Sequence, residues 1–289
     1  MTSSHKVDRC ANARSLLFVP GNRPERFENA VRSGADAVVL DLEDSVPAAQ
    51  KALAREAVER GWARLHSFGV PLVVRINAPG NADGDEDLRW LTQMPTPDAV
   101  MLPKAESAET LADVHERLNA VALLPIVESA AGHAALPSLA AAPGVLRLVL
   151  GHVDFMADTG LQCDEMQSEL APLRFAIAMA TRLHRLAPAI DGVTLELDDD
   201  ALLHDATLRA VRYGFGGKLC IHPRQVPVVH QAFAPTERQI AWARRVIAAD
   251  AQAAGAAVQL DGRLVDMPVV LQAKRTLARM RTDAPAGGG

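Results

Sequence analysis

Aromatic residues are scarce. One tyrosine, three tryptophans and seven phenylalanines make up 4% of the 289 residues, too few for the stacking platforms that hold single-stranded nucleic acid. An excess of one charge is also lacking. Thirty Lys and Arg stand against 35 Asp and Glu, a net charge of −5, so no basic field invites a nucleic-acid backbone. The three cysteines, Cys10, Cys163 and Cys220, are far apart and match no metal or redox spacing. A sparse, odd set points to a reducing compartment and buried thiols. No apolar run approaches the ~20 residues that cross a bilayer, and Met1-Thr-Ser-Ser-His-Lys lacks a signal peptide's apolar core. These absences predict a cytoplasmic protein without nucleic-acid or membrane partners. Gly-x-Gly-x-x-Gly and the P-loop are missing too. Gly214-Phe-Gly-Gly precedes a strand rather than a helix, which makes it a poor phosphate loop.

What the chain does have is a series of short aliphatic runs, each ending in a polar residue. Leu16–Val19, Ala37–Asp44, Pro71–Asn77, Asp98–Lys104, Leu123–Val127, Leu146–Leu150, Ala189–Val193 and Gly217–Pro223 read as buried strands. Helical patterns lie between most of them, from Pro24 to about Ser33, Pro47 to about His66, Leu111 to about Leu118, in one long helix after Asp154 that takes in Leu170 to Leu186, and from Asp198 to about Tyr213. Residues 1 to about 13 are polar and read as a loose terminus. Eight strand–helix units in roughly 220 residues favour a closed (β/α)8 barrel over residues 14–233, with an open doubly wound sheet as the alternative. Residues 236–283 read as a helix–hairpin–helix appendage with Asp261-Gly262 at a type I′ turn. The Ala284-Pro-Ala-Gly-Gly-Gly tail reads as disordered.

In a parallel barrel, chemistry collects at the carboxyl ends of the strands. Those positions hold Glu43 and Asp44, Arg75 and Asn77, Lys104, Glu128, Asp154 and His222. Glu128 and Asp154 close successive strands. Two acids brought together at one rim repel unless a cation or a shared proton intervenes, and a hard divalent cation, Mg2+ for preference, suits two oxygen ligands with substrate and water. The plainer alternatives are an ion pair for Glu128 and a helix cap for Asp154. Arg75 suits a carboxylate or a developing enolate oxygen, or else an ion pair with Glu43 or Asp44. His222 reads as a general base or a structural hydrogen-bonder, and Lys104 as a Schiff-base amine only if desolvated. Asp266, before Met267-Pro268, reads as a helix N-cap. Ser129 lacks a nucleophile elbow.

Six motifs resemble the citrate lyase beta-subunit-like family, relatives of the citryl-, citramalyl- and malyl-CoA lyases in the HpcH/HpaI aldolase superfamily. They are Arg14-Ser-Leu-Leu-Phe-Val-Pro-Gly-Asn-Arg-Pro-Glu-Arg, Val38-Val-Leu-Asp-Leu-Glu-Asp-Ser-Val, Val74-Arg-Ile-Asn, Leu102-Pro-Lys-Ala-Glu, Pro125-Ile-Val-Glu-Ser and Ile221-His-Pro-Arg-Gln. The resemblance runs from about Arg14 to Arg279. It implies a (β/α)8 barrel assembled as a homotrimer or hexamer. It also implies Mg2+ held by Glu128 and Asp154, and Arg75 as the substrate arginine. Phe18, Val19, Arg23, Val153, Ile221 and His222 lie on segments that line the substrate or CoA site in such relatives. Glu43, Asp44 and Lys104 fall in a supporting shell, with a water held by Glu43 or Asp44 as a candidate base.

Leu264-Val-Asp-Met-Pro resembles a C-terminal lid whose aspartate, matched by Asp266, enters a neighbouring subunit's site. The implied activity is cleavage of a 3-hydroxy-carboxyacyl thioester to an acetyl thioester and a 2-keto acid. Chelation of the substrate's carboxylate and hydroxyl would acidify the hydroxyl. Arg75 would meet the enolate oxygen, and Asp266 would donate the final proton. The alternatives are an aldolase acting on free hydroxy-keto acids and a beta subunit active only with an acyl-carrier partner.

Overall fold

The computed structural model describes residues 3–253 and 256–280. The chain separates into two compact units, residues 1–230 and 231–289.

The first unit is a closed barrel of eight parallel strands in sequential order. The strands are β1 (Ser15–Pro20), β2 (Ala37–Asp41), β3 (Leu72–Arg75), β4 (Ala99–Leu102), β5 (Leu123–Val127), β6 (Val149–Leu150), β7 (Ile190–Asp191) and β8 (Gly217–Cys220). β8 closes onto β1 through the pairs Ser15–Lys218, Leu16–Leu219 and Leu17–Cys220. The helices in chain order are α1 (Ser3–Asn12), α2 (Phe27–Val31), α3 (Lys51–Ser67), α4 (Ala82–Leu91), α5 (Ala108–Arg117), α6 (Ala130–Ala134), α7 (Leu136–Ala141), α8 (His152–Thr159), α9 (Ala171–Leu183), α10 (Asp200–Tyr213) and α11 (Gln225–Phe233).

Most strands lie entirely out of water because helices cover the outside and side chains fill the inside. β2, β4 and β5 have every residue buried. That double burial is why they read as unbroken aliphatic runs rather than alternating ones. Alternate residues, such as Leu16, Val39, Val73, Met101, Ile126 and Leu219, form the packed interior. In a filled barrel the inward positions become chemically useful only at the rim.

The N-terminal segment departs from the expectation of a loose terminus. It forms α1, and Cys10 and Ala13, 2% and 1% exposed, join the interior cluster. Arg147, fully buried just before β6, ties this segment down. Its Nη1 donates to the carbonyls of Cys10 (3.0 Å) and Ala13 (2.7 Å), and its Nε donates to Pro188 O (2.6 Å). A polar composition concealed this, because the contacts are made by two small residues and by backbone oxygens.

Other elements also differ from the sequence reading. α4, α6, α7 and α11 are additional helices, and α4 starts where the Asn81 side chain accepts from Gly84 N at 2.7 Å. Residues 154–186 are not one long helix. α8 stops at Gly160, which is left-handed with φ 72°, and α9 starts only at Ala171. Asp154 therefore lies in the first turn of α8 rather than ahead of a helix. Cys163 is half-buried, unlike Cys10 and Cys220.

In the second unit, α12 (Glu237–Gln252) begins with a capping box between Thr236 and Gln239. The hairpin of β9 (Val258–Leu260) and β10 (Arg263–Val265) turns through Asp261 and Gly262, both at positive φ (52° and 75°), as a type I′ turn requires. α13 (Met267–Ala278) packs on α12 around Val246, Val265 and Val270. The Ala284–Gly289 tail lies outside the described residues. Among the described residues, no helix is long and apolar enough to cross a membrane.

Candidate active site

β2 and β3 are adjacent and in register, with Asp41 opposite Arg75. Both project inward, in step with Val39 and Val73. The Asp41 carboxylate accepts two parallel hydrogen bonds from Arg75, from Nε at 2.6 Å and from Nη2 at 2.7 Å. This fork fixes the plane of the guanidinium. Burial pushes Asp41 up, but the hydrogen bonds and charge of Arg75 outweigh it and hold its carboxyl below the ordinary range. On its other side, Arg75 Nη1 comes within 2.7 Å of Glu43 Oε2 without the alignment of a hydrogen bond. The ring of Phe18 lies 4.7 Å from the guanidinium carbon, within cation–π range. Asp41 takes two of the five N–H donors, which leaves donors on Nη1 and Nη2 for a ligand.

Glu128 leaves β5 on the inward face and is 5% exposed. Its Oε1 accepts the backbone N–H of Lys104 at 2.6 Å. Lys104 presents that N–H from a left-handed conformation, φ 50°, while its side chain is exposed. Lys104 therefore acts here through its backbone, and an exposed amine lacks the desolvation a Schiff-base lysine needs. Burial, with the charges of Glu43 and Asp154, pushes the Glu128 carboxyl up to about 8. Burial likewise carries Glu43 to about 7 despite Arg75. Glu128 thus feels the negative charges of Glu43 and Asp154 against the positive charge of Arg75. Gly151, between β6 and α8, is what allows the approach. A Cβ there would fall 2.5 Å from Glu128 Oε2 and 2.7 Å from Ile126 Cγ2.

The other predicted residues are placed unequally. Asp44 is exposed and 3.9 Å from Arg75 Nη1. Phe18 faces the site, whereas Val19 is on the opposite side of β1 and only 3% exposed. Val153 and Ile221 are 37% and 38% exposed. His222 is exposed, and its Nδ1 accepts from Arg224 N at 3.2 Å. Arg23 is exposed and pairs with Glu25 at 2.6 Å. Ser129 accepts from Gly132 N at 3.0 Å and caps α6. Asp266 belongs to the second unit and caps α13, accepting from Val269 N at 3.4 Å. The sequence reading did not single out Asp41 or Gly151. The period-two alternation Ala37, Val39, Asp41 would have put Asp41 on the inward face beside Arg75. No signal in the chain marks Gly151.

Among the described residues, no group of three or more His, Cys, Asp and Glu side chains is gathered closely enough to enclose a metal. Glu128 and Asp154 are a pair, and a pair of hard oxygen donors with open positions is what Mg2+ takes when it keeps water or a ligand's oxygens. The buried Glu128 carboxylate, with the charges of Glu43 and Asp154 acting on it, fits such an ion.

A closed barrel with buried acids and a clamped arginine at its carboxyl-end rim is the framework of a barrel enzyme, and comparison with known proteins gives its class as the lyases. The HpcH/HpaI aldolase/citrate lyase model matches residues 14–223. A citrate lyase subunit beta-like protein of Mycobacterium tuberculosis is 38% identical over 276 residues, covering 91% of this chain and 94% of that protein. The human mitochondrial citramalyl-CoA lyase is 30% identical, covering 91% and 84%. The CitE protein of M. tuberculosis, crystallised with magnesium, acetoacetate and coenzyme A, superposes with a TM-score of 0.80 at 35% identity, covering 93% of this chain and 98% of that one. The chain belongs to the HpcH/HpaI aldolase/citrate lyase family.

Proposed function

We propose that this chain is a Mg2+-dependent carbon–carbon lyase that cleaves a 3-hydroxy-carboxyacyl thioester of the citryl, citramalyl or malyl type into an acetyl thioester and a 2-keto acid. The observation that carries the reading is the convergence of Glu128, Asp154 and Glu43 with Arg75 at the carboxyl ends of β2, β3, β5 and β6. Relatives crystallised with magnesium, and with coenzyme A, support it.

Glu128 and Asp154 would hold the ion, which when bound supplies a Lewis acid for the substrate's carboxylate and hydroxyl. Lys104 N–H keeps Glu128 in its rotamer. Arg75, its plane fixed by Asp41, turns remaining N–H groups toward the thioester oxygen and stabilises the enolate that forms on cleavage. Glu43, carried to about 7, is close to the operating pH of a general base and takes the hydroxyl proton directly or through water. Phe18 covers one face of Arg75 and excludes water from it. Asp266 protonates the departing enolate in a neighbouring copy, with the chain assembled as a trimer or a hexamer.

The test is cleavage by the purified protein with Mg2+ of citramalyl-CoA, malyl-CoA and citryl-CoA offered separately, with pyruvate, glyoxylate and oxaloacetate as the products read. One dominant product names the substrate, and Glu128→Gln should abolish it while leaving the circular dichroism unchanged. Turnover retained in that variant would remove Glu128 from the metal. A second reading has a specific observation behind it. Arg23 is already paired with Glu25, which weakens the case for a phosphate contact there and favours a carrier-bound thioester. If no CoA ester is cleaved by folded, Mg2+-loaded protein but an acyl-carrier ester is, that reading replaces the first.

A further inference from the structure

A second concentration of charge lies on the outer side of the barrel wall, where the inward-facing Ile190 and Leu219 do not reach. Asp191 of β7 and Lys218 of β8 are opposite in register. Lys218 Nζ is 3.7 Å from Asp191 Oδ2 and donates to Gly192 O at 2.8 Å. α9 sends in Arg174, only 1% exposed, with Nε 3.1 Å from Asp191 Oδ1. Two buried cations thus share one carboxylate.

α10 adds a third basic group, Arg209. Arg174 Nη2 and Arg209 Nη2 both donate to Gln167 Oε1, at 2.7 and 2.9 Å. Two guanidiniums converging on one neutral amide oxygen repel each other, and Arg209 is pulled down by burial and by the charge of Arg174. Asp164 and Glu169 are near by, but neither they nor Asp191 accept from Arg174 Nη1 or Arg209 Nε. Both of these N–H groups are buried without an acceptor. Such a group forfeits its hydration with nothing in return, and few are tolerated in a folded protein. Beside them is a cavity of about 380 Å³ lined by Arg174, Arg209, Arg212, Ser168 and Tyr213, among others.

We propose that this cavity between α9 and α10 binds a phosphate-class dianion, either free phosphate or the phosphate of a small phosphomonoester, through Arg174, Arg209 and Arg212. A dianion relieves this crowding of positive charge. Its oxygens accept from the guanidinium N–H groups of Arg209 and Arg212 that border the cavity, in the charge-assisted geometry guanidinium provides, and its charge offsets the crowding of Arg174 and Arg209. The site is independent of the carboxylate rim and does not rest on the reaction proposed for it.

The experiment is calorimetric titration of the intact, Mg2+-free protein with sodium phosphate and, separately, glycerol 3-phosphate, with chloride holding ionic strength constant. The expected result is saturable binding of one anion per chain with a rise in Tm. Arg209→Ala and Arg212→Ala should each weaken it about tenfold or more, as expected for a lost charge-assisted bond, while Arg212→Lys should weaken it less. Arg23→Ala, at the other arginine-bearing rim, should leave it unchanged. These variants carry the test because Arg174 supports the fold through Asp191. Tighter glycerol 3-phosphate binding identifies a phosphomonoester as the ligand, and tighter inorganic phosphate the free ion. Absence of saturable binding, or binding equal in wild type, Arg209→Ala and Arg212→Ala, would overturn the assignment.

Discussion

Gly151 lies directly against Glu128, so close that a methyl group at 151 would sit 2.5 Å from the Glu128 Oε2 oxygen. The start of α8 can therefore bring Asp154 up to Glu128 only with glycine at this step. Gly151→Ala should displace the Glu128 carboxylate while leaving the barrel folded. Misplacing a metal-orienting group costs about 10- to 100-fold in affinity. Titrating Mg2+ against the variant, with substrate absent, checks this. Unchanged affinity would mean that Glu128 does not bind the ion.

The elevated carboxyls set a pH dependence whose sign can be worked out. Glu128 titrates at about 8 and Glu43 at about 7 in the folded, metal-free protein, burial being the main cause for both. In the unfolded chain they titrate near ~4.3. Between those limits the folded chain holds protons that the unfolded chain has released, so stability falls as pH rises through the window. Mg2+ competes with those protons and should restore stability most strongly at the alkaline end. Thermal unfolding in a chelator and in Mg2+ from pH 5 to 8.5 tests this. The two curves should diverge with pH, and Glu128→Gln should flatten the chelator curve.

Asp41 acts in the opposite sense. Its carboxyl is held below the ordinary range by Arg75, so the stability it contributes is present above the unfolded pKa and lost as pH falls through the folded one. Asp41→Asn cannot reproduce the fork and leaves a buried arginine half-paired. Breaking a buried pair on one side costs about 3–5 kcal/mol, which urea denaturation would measure. The kcat should fall as well, because Arg75 loses its fixed plane. A normal kcat would show that Glu43 and Phe18 orient Arg75 without help.

Asp266 allows its two readings to be separated. As an N-cap, its replacement by Ala should cost about 0.5–2 kcal/mol, whereas Asn is nearly as good a cap. Asp266→Asn should therefore unfold like wild type. If Asp266 also delivers the proton to the enolate, the same variant should lose turnover. Full activity in Asp266→Asn would confine the residue to capping α13.

Arg147 offers a test of the barrel floor. Arg147→Met would strand the carbonyls of Ala13 and Pro188 and leave that of Cys10 only the 3.4 Å bond from Ala13 N. Each unsatisfied buried acceptor costs about 1–3 kcal/mol, and hydrogen exchange of α1 should accelerate along with the global loss. Protection of α1 equal to wild type would show that Cys10 and Ala13 dock without the arginine.

The sequence by itself determined the alternation of buried strands and helices, and favoured a barrel; closure of β8 onto β1 was decided in three dimensions. Each strand is buried on both faces, and the resulting aliphatic runs and the helices between them are local, periodic features of the chain. It also determined which rim positions are polar, including Glu128 and Arg75, because each directly follows or ends an apolar run, with Asp154 four residues beyond one. It could not determine what those polar groups meet. Asp41 and Arg75 are 34 positions apart, and only strand register makes them partners. Lys104 looked like a candidate amine, and its left-handed backbone made it a donor through its N–H instead. Arg174 and Arg209 read as ordinary helix charges until α9 and α10 packed on the barrel and turned them toward Gln167. Hydrogen bonds and electrostatic fields act over a few ångströms of space without regard to chain separation. Pairings of this kind are decided only when the barrel closes.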